Sequence, residues 1–377
     1  MKILHICLAN FFIDNYSYQE NMLPKYHAAM GHDVEVLASL ESFDKDGKTC
    51  LLEHGGKYKN EYNIPVTRLE YKDSFGARKL RHYKGTYEEL ERVNPDIIFI
   101  HGCQFCDIKY VVKYLQNHKN VRVYVDNHAD FSNSARNWIS KNILHKIIWR
   151  SCAKKIEPYT KKFYGVLPAR VKFLQNVYKL PKEKCELLIM GADDDAVAKA
   201  ADPDKIGELR RKYGVADGDF LIVTGGKIDL FKTQTLLLME AVKDIENVKL
   251  LVFGSVVPEM KEQFDKLCGD NVIYIGWINA PDSYKYFAAC DFAVFPGRHS
   301  VFWEQVAAQA KPMIVKYWDG TTHVDIGGNV RFLYKDSVSE IKEEIEYVKD
   351  NFDFMKDAAN AAAKNFLYSD IARRSIE

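Results

Sequence analysis

The chain lacks long apolar runs and has no excess of either charge. No stretch approaches the roughly eighteen uninterrupted apolar residues of a membrane span, so the sequence predicts none. Its 53 Lys and Arg residues are balanced by 52 Asp and Glu residues. A balanced total gives no reason to expect nucleic acid as a partner, and any charge signal must be local.

Cysteine spacing gives no disulfide framework. The eight cysteines are scattered along the chain, which is typical of reduced thiols. Cys103 and Cys106, just after His101, form the tightest pair and allow a redox or metal interpretation, but no second ligand cluster follows. Residues 1–8 are typical of a first strand rather than a signal peptide. We therefore expect a cytoplasmic protein.

Apolar strand-like runs alternate with helical patterns along the whole chain. This alternation predicts an α/β protein with parallel sheets built from βαβ units. A chain of 377 residues exceeds the size of one ordinary core, so two domains are expected. We predict a first domain over 1–192, a linker over 193–204, a second domain over 205–360, and a C-terminal helix over 361–377 that packs towards the first domain.

A glycine pair followed by lysines is the most informative motif. The strand predicted over 220–224 leads into Gly225 and Gly226, and Lys227 and Lys232 follow. Ligands bind at the carboxyl ends of strands in open α/β sheets, where a helix N-terminus and two cations suit a diphosphate. The alternative is a flexible turn with solvated lysines.

A second polar loop follows the strand predicted over 292–295. Glu304 lies in the first turn of the next helix, where a carboxylate can accept hydrogen bonds from both ribose hydroxyls. It can equally compensate the helix dipole. In the first domain, His128 follows the strand predicted over 121–126 and can hydrogen-bond a sugar, although a lone histidine is usually structural.

A basic, amphipathic stretch occupies residues 136–172. Lysines and arginines there are interleaved with Trp138, Ile139, Ile143, Ile147 and Ile148. This pattern is typical of a surface helix that contacts anionic lipid, and a solvated face with ordinary core contacts is the alternative.

Together these segments resemble family 4 of the retaining glycosyltransferases, including bacterial enzymes of surface and capsular polysaccharides. The resemblance implies the GT-B fold, in which two Rossmann-like domains face each other across a cleft. In that family an arginine and a lysine five residues apart grip the donor diphosphate, and Lys227 and Lys232 stand at these positions. Lysine keeps the charge but lacks the bidentate fork of arginine.

The resemblance also implies roles for other residues. Two glutamates separated by seven residues are replaced here: counting back from Pro312 puts Arg298 and Gln305 at their positions, and one inserted residue would give Glu304 the ribose role. The remaining residues with implied roles are Gly226, Trp277, Ile278, His299, Ser300 and Val301 at the donor, His128 at the hexose, and Asn10 and Asp14 on the acceptor side.

We therefore predict sugar transfer from a nucleotide diphosphate donor, UDP-linked rather than GDP-linked, to a saccharide or lipid-linked saccharide. The resemblance implies retention of configuration and requires no metal or cofactor. A nucleotide-sugar epimerase and a non-catalytic nucleotide-sugar-binding protein are the alternatives. Contact with the inner face of an anionic membrane is an additional expectation.

Overall fold

The computed structural model describes residues 1–9, 11–44, 48–135, 137–230 and 233–377. The chain divides into two compact units. The first comprises Met1–Ile189 together with Ile371–Glu377, and the second comprises Met190–Asp370. Each unit is built on a largely parallel sheet, in agreement with the predicted α/β class. Within the described residues, no helix combines the length and the apolar character that a membrane span needs.

The first unit contains an eight-stranded sheet and a separate hairpin. The sheet order is β10-β9-β8-β7-β1-β2-β6-β5, and the hairpin pairs β3 with β4. The pairs in the sheet are parallel except β5 with β6. The strands of this unit are β1 (Lys2–Cys7), β2 (Asp33–Ala38), β3 (Glu41–Phe43), β4 (Thr49–Leu51), β5 (Gly56–Lys59), β6 (Pro65–Arg68), β7 (Ile97–His101), β8 (Arg122–Asn127), β9 (Thr160–Gly165) and β10 (Cys185–Leu187).

Helices cover this sheet. They are α1 (Gln19–Ala29), α2 (Ala77–Leu80), α3 (Thr86–Val93), α4 (Ile108–Asn117), α5 (Arg150–Ile156) and α6 (Pro168–Asn176), with a π-helix over Ser140–Trp149 and 3₁₀ turns over Glu157–Tyr159 and Lys182–Lys184. Strand β7 is buried along its whole length, as expected for a parallel strand covered on both faces. Gly31 ends α1 with φ +84°, a conformation that favours glycine.

The second unit is a six-stranded parallel sheet of order β13-β12-β11-β14-β15-β16. Its strands are β11 (Phe220–Gly225), β12 (Val248–Phe253), β13 (Val272–Tyr274), β14 (Phe292–Phe295), β15 (Met313–Lys316) and β16 (Val330–Leu333). Its helices are α7 (Asp194–Ala200), α8 (Pro203–Lys212), α9 (Gln234–Lys243), α10 (Pro258–Leu267), α11 (Ala280–Ala289), α12 (Phe302–Ala308), α13 (Val338–Asp350) and α14 (Phe352–Ala362), with 3₁₀ turns over Thr322–Val324 and Ala363–Phe366. A last helix, α15 (Tyr368–Ser375), follows.

The segment predicted as a linker contains helix α7. The Asp193 carboxylate accepts a hydrogen bond from the backbone N–H of Asp195, and Asp202 caps α8 in the same way through Asp204. Asp193 therefore caps α7, a role for which aspartate is a preferred residue. The last residues of the chain lie in the first unit, where the Tyr124 hydroxyl donates to the Ile376 carbonyl oxygen at 2.9 Å.

Candidate active site

A pocket lies at the carboxyl ends of β11 and β14 in the second unit. These strands are neighbours in the sheet although they are not consecutive along the chain, so the strand order changes direction between them. Open α/β sheets bind ligands at such a switch point. The residues that line the pocket are Thr224, Gly225, Gly226, Lys227, Ile228, Thr235, Phe295, Pro296, Gly297, Arg298 and Ser300.

Glycines let two backbone loops meet at this pocket. A Cβ atom on Gly254 would lie 1.9 Å from the Gly226 carbonyl oxygen, and Gly254 has φ +123°. A Cβ atom on Gly225 would lie 2.2 Å from the ring of Phe253. The Ile228 N–H also donates to the Ser255 carbonyl oxygen at 2.8 Å, so the loops after β11 and β12 run side by side. Side chains at Gly225 or Gly254 would force these loops apart.

The pocket is electropositive. Lys227 and Arg298 both line it, and both side chains are exposed. The Lys227 Nζ atom lies 3.6 Å from the Asp229 carboxylate. Thr235, in the first turn of α9, brings a helix N-terminus to the same pocket, which favours anions further. Lys232, the second lysine predicted to grip the diphosphate, lies outside the described residues.

The segment with the predicted donor residues Trp277 and Ile278 begins beside these loops. The Gly254 N–H donates to the Gly276 carbonyl oxygen at 2.9 Å. Trp277 follows directly, and its side chain is 69% exposed. Ile278 is partly buried. The loop after β12, which contacts Gly226, is thus hydrogen-bonded to the residue before Trp277. The exposed indole of Trp277 has the flat surface needed to stack on a base.

Glu304 lies beneath the polar loop and holds two histidines. Its Oε1 atom accepts hydrogen bonds from His299 Nε2 at 2.8 Å and His323 Nε2 at 2.7 Å, and its side chain is fully buried. Burial by itself raises the pKa of Glu304, but the two histidines outweigh it and hold the pKa well below its usual range. Glu304 is therefore an ionised carboxylate that fixes the orientation of both rings.

These three residues are also the group that could hold a metal ion. One ligand atom from each of His299, Glu304 and His323 lies within 4.8 Å of the others, and two histidines with one glutamate are a ligand set that zinc accepts. The Glu304 Oε2 and His323 Nδ1 atoms are buried without a hydrogen-bond partner.

The ribose role stays a prediction for both candidate residues. Glu304 is absent from the pocket lining, and its carboxylate is engaged by histidines. Gln305 is 3% exposed, and its Oε1 atom lies 3.4 Å from the Ser283 hydroxyl. Ser300 lines the pocket, whereas Val301 and His299 lie next to it in the chain, partly buried.

In the first unit, His128 follows β8 and lies beside a buried carboxylate. Its Nε2 atom is 3.5 Å from Asp126 Oδ2. Burial lowers the pKa of His128, but the charge of Asp126 outweighs this effect and raises it. His128 therefore favours the charged imidazolium form more than a free histidine does.

The acceptor-side predictions fall on the loop after β1. Asn10 lies outside the described residues. Asp14 accepts hydrogen bonds from the Tyr58 hydroxyl at 2.8 Å and from Arg68 Nη2 at 3.2 Å. A separate pocket opens nearby at the ends of β1 and β2. Its lining residues are Leu8, Ala9, Phe11, Ser39, Glu41, Tyr71, Arg81 and Tyr83.

Several of these residues had no assignment from sequence. Gly254 carried a weak signal, because a glycine directly after a buried strand marks a close backbone approach. His323 is 19 residues from Glu304 in the chain, and no spacing rule connects them. Asp126 was read as the end of a strand. Its partnership with His128 depends on the turn of the chain after β8.

Scans of the sequence against protein-family models and against curated proteins gave no match. Solved structures do match over the whole chain. A glycosyltransferase from Rickettsia africae is 14% identical, with a TM-score of 0.66, over 99% of this chain and 96% of that one. HepE of Anabaena in complex with UDP is 15% identical, with a TM-score of 0.64, over 99% and 98%.

A third similar structure is an epimerase. UDP-GlcNAc 2-epimerase from Neisseria meningitidis bound to UDP-GlcNAc is 12% identical, with a TM-score of 0.60, over 99% of this chain and 98% of that one. At these identities the comparisons establish the fold alone. The chain has the GT-B architecture of two Rossmann-like units, as predicted.

Proposed function

We propose that the chain transfers a sugar from a nucleotide diphosphate donor to a saccharide or lipid-linked saccharide, with retention of configuration. The observation that carries this proposal is the glycine-lined pocket at the strand-order switch of the second unit, which holds Lys227 and Arg298. A pocket lined by backbone and cations suits a diphosphate, because phosphate oxygens bind amide N–H groups and positive charge.

In this reaction the pocket stabilises the departing diphosphate. Lys227, Lys232 and Arg298 supply positive charge where negative charge develops, so a metal ion or cofactor is not required. Trp277 and Ile278 contact the base. Ser300, Val301 and His299 lie on the donor side of the sugar. His128 is a catalytic residue that steadies the hexose, and Asn10 and Asp14 belong to the acceptor side. We expect a UDP-linked donor of the hexose or N-acetylhexosamine type, and the HepE complexes with UDP and with UDP-glucose support this expectation.

We propose a positioning role for Glu304. Its buried carboxylate accepts a hydrogen bond from His299 Nε2 at 2.8 Å, and His299 lies in the chain between Arg298 and Ser300, which line the pocket. Glu304 thus acts on the donor through His299, and direct contact with the ribose is the alternative that the Glu304 variants below distinguish.

Thermal denaturation with nucleotides tests the donor site. We expect UDP to raise the melting temperature more than GDP does. A ligand present at a hundred times its Kd stabilises the native state by about 2.7 kcal/mol. Gly254→Ala is the matched negative variant, because its Cβ atom would collide with the Gly226 carbonyl oxygen. An unchanged melting temperature with both nucleotides would contradict the donor assignment.

Product analysis separates the three candidate functions, which are a glycosyltransferase, an epimerase and a non-catalytic binding protein. Incubation with a UDP-sugar and a saccharide acceptor should yield a glycoside whose anomeric configuration matches that of the donor. Conversion of the nucleotide sugar in the absence of acceptor would instead identify an epimerase, the activity of one similar structure. Nucleotide binding without turnover across an acceptor screen would identify a binding protein.

We also propose that the protein works at the inner face of an anionic membrane. The π-helix region exposes apolar side chains: Trp138 is 69% exposed and Ile147 is 62% exposed. Lys141 and Lys146 lie in the same helix. Exposed apolar residues beside basic ones suit an interface where the apolar groups enter the lipid and the lysines meet its headgroups.

Liposome flotation tests this contact. Replacing Trp138 and Ile147 with serine should lower binding to anionic vesicles about tenfold per side chain, because each apolar group leaves the lipid. Phe75→Ser is the matched control, since Phe75 is fully exposed in the same unit but lies outside the basic stretch. Equal flotation of all three proteins at low salt would count against the proposal.

A further inference from the structure

A line of hydrogen-bonded histidines runs through the first unit, and none of its members has a role assigned in the reaction proposed above. His5 on β1 stands in the middle. Its Nε2 atom lies 3.0 Å from His27 Nδ1, and its Nδ1 atom lies 3.0 Å from His101 Nε2. The three side chains are fully buried. Burying three histidines away from water costs free energy, and the hydrogen bonds between them offset part of this cost.

One end of the row meets the C-terminal helix. The His27 Nε2 atom lies 3.0 Å from the Ala372 carbonyl oxygen and 3.1 Å from the Ser375 hydroxyl oxygen. A carbonyl oxygen only accepts a hydrogen bond, whereas a hydroxyl group can either donate or accept one. The Ser375 hydroxyl also lies 2.8 Å from the Ala372 carbonyl oxygen, so its single proton serves either that oxygen or His27 Nε2.

The other end of the row meets Asp126, which is shared with His128. His101 Nδ1 lies 2.8 Å from Asp126 Oδ2, and His128 Nε2 lies 3.5 Å from the same oxygen. Gln19 Nε2 donates to this oxygen at 3.2 Å, and Oδ1 is buried without a hydrogen-bond partner. One carboxylate oxygen thus faces two histidines.

Two arrangements of protons keep all the bonds between the histidines and the bond to Asp126. In the neutral arrangement, the Ser375 hydroxyl gives up its 2.8 Å hydrogen bond to the Ala372 carbonyl oxygen and donates to His27 Nε2, each histidine donates from Nδ1, and His101 donates to Asp126. In the loaded arrangement, His101 carries two protons, the bonds between histidines reverse, and His27 Nε2 donates to the Ala372 carbonyl oxygen. The two arrangements differ by one proton, and that proton resides on His101.

The surroundings favour this location for the proton. Burial lowers the pKa of His5 well below its usual range, and the neighbouring histidines add to the effect. Burial lowers the pKa of His27 to about 4. Burial alone would raise the pKa of Asp126, but His101 and His128 hold it well below its usual range. The added charge is therefore stabilised next to the ionised carboxylate and nowhere else in the row.

We propose that the histidine row and Asp126 form a buried proton store that sets the charge of His128. When the store is loaded, His101 neutralises Asp126 and weakens its hold on a proton at His128. When the store is neutral, the full charge of Asp126 acts on His128. His101 and His128 consequently bind protons in competition, as coupled sites do. The use of this coupling in catalysis rests on the proposed sugar transfer, but the coupling itself exists without substrate.

Other ionisable groups around the row do not replace Asp126. Arg170 on α6 acts on His128 but is paired with Asp130 at 3.2 Å. Burial raises the pKa of the Cys7 and Cys103 thiols, so both stay neutral. The further groups that act on the row are Glu20 on α1 and His32 before β2. Their charges act on both proton arrangements, and they provide no link between His101 and His128.

NMR titration of histidine-labelled full-length protein, without donor or acceptor, tests the proposal. Asp126→Asn should lower the pKa of His128 by about one unit or more, because an opposite charge is lost. His5→Phe should raise the pKa of His128 by about one unit, because the loaded arrangement loses its acceptor for His101 Nε2. Ser375→Ala should lower it, because the neutral arrangement loses its donor to His27 while the loaded one keeps the Ala372 carbonyl.

The opposite signs of the last two variants distinguish a proton store from a structural effect. His145→Gln is the matched control, since His145 is a buried histidine of the same unit that bonds Ser134 and Tyr178 instead. It should leave the titration of His128 unchanged. If His5→Phe fails to fold, the mild Ser375→Ala variant still tests the sign. A His128 pKa that is unmoved by Ser375→Ala and His5→Phe would overturn the proposal without affecting the sugar-transfer assay.

Discussion

Lys227→Ala is expected to lower the rate of sugar transfer by about 10²- to 10³-fold, the loss found when one preorganised electrostatic group is removed from an active site. Lys227 lines the pocket that we propose binds the diphosphate, and its side chain is exposed. Because the diphosphate gains negative charge as the sugar leaves, the lysine stabilises the transition state more than the bound donor. The loss should therefore appear mainly in kcat, with a smaller rise in KM.

Steady-state kinetics with a UDP-sugar measure this loss, and two further variants control it. Lys227→Arg keeps the charge and should retain most of the activity. Lys249→Ala removes the same charge from the amino-terminal part of β12, where Lys249 donates to the Asp270 carbonyl oxygen, and should leave kcat unchanged. Lys232→Ala is expected from the sequence to resemble Lys227→Ala. An undiminished kcat in Lys227→Ala would remove this lysine from the mechanism.

Glu304→Ala is expected to lower the free energy of unfolding by about 2–6 kcal/mol, because two largely buried donors each lose their acceptor at a cost of about 1–3 kcal/mol. His299 and His323 both donate to Glu304 Oε1, and both would lose their acceptor. Urea denaturation followed by tryptophan fluorescence measures the effect. Trp303, fully buried beside His299 with ring centroids 4.9 Å apart, is a probe in the second unit. Glu304→Gln keeps an acceptor oxygen and should lose less.

The pH dependence of stability separates the charge of Glu304 from its shape. Its pKa is lowered in the folded state, so its stabilising contribution is complete above the unfolded value of about 4.3 and is lost as the pH falls below it. Glu304→Gln should therefore be less stable at pH 7. Its free energy of unfolding should also fall less steeply than that of the wild type as the pH is lowered below about 4.3. The contrary result would be a Glu304→Gln protein that is as stable as the wild type but binds UDP and its 2′-deoxy analogue equally well. That result would favour direct contact between Glu304 and the ribose.

Most strands of the two parallel sheets could be predicted from the sequence, because buried parallel strands appear as continuous apolar runs. Examples are β7 in the first unit and β14 in the second. The sequence prediction missed short strands that carry little apolar pattern. The β3–β4 hairpin has strands of three residues, and β16 follows a glycine pair. Such strands form because a neighbour offers backbone partners, which is information that local sequence does not hold.

The candidate site was predicted unevenly for the same reason. Gly226 and Lys227 are consecutive and follow a strand, so topology alone locates them at the sheet edge. The contact of Glu304 with His323 requires two loops from different strands to meet. A carboxylate in a first helical turn looks the same in sequence whether it points to a ligand or to a buried histidine.

The first unit includes Ile371–Glu377, which the ribosome makes only after the whole second unit. The Ile376 carbonyl oxygen and the Ser375 hydroxyl complete contacts with Tyr124 and His27. During synthesis, Tyr124 and His27 therefore lack these partners until the second unit has been made. Deleting this short segment should expose His27 and the Tyr124 hydroxyl to water, because both lose the partners that cover them.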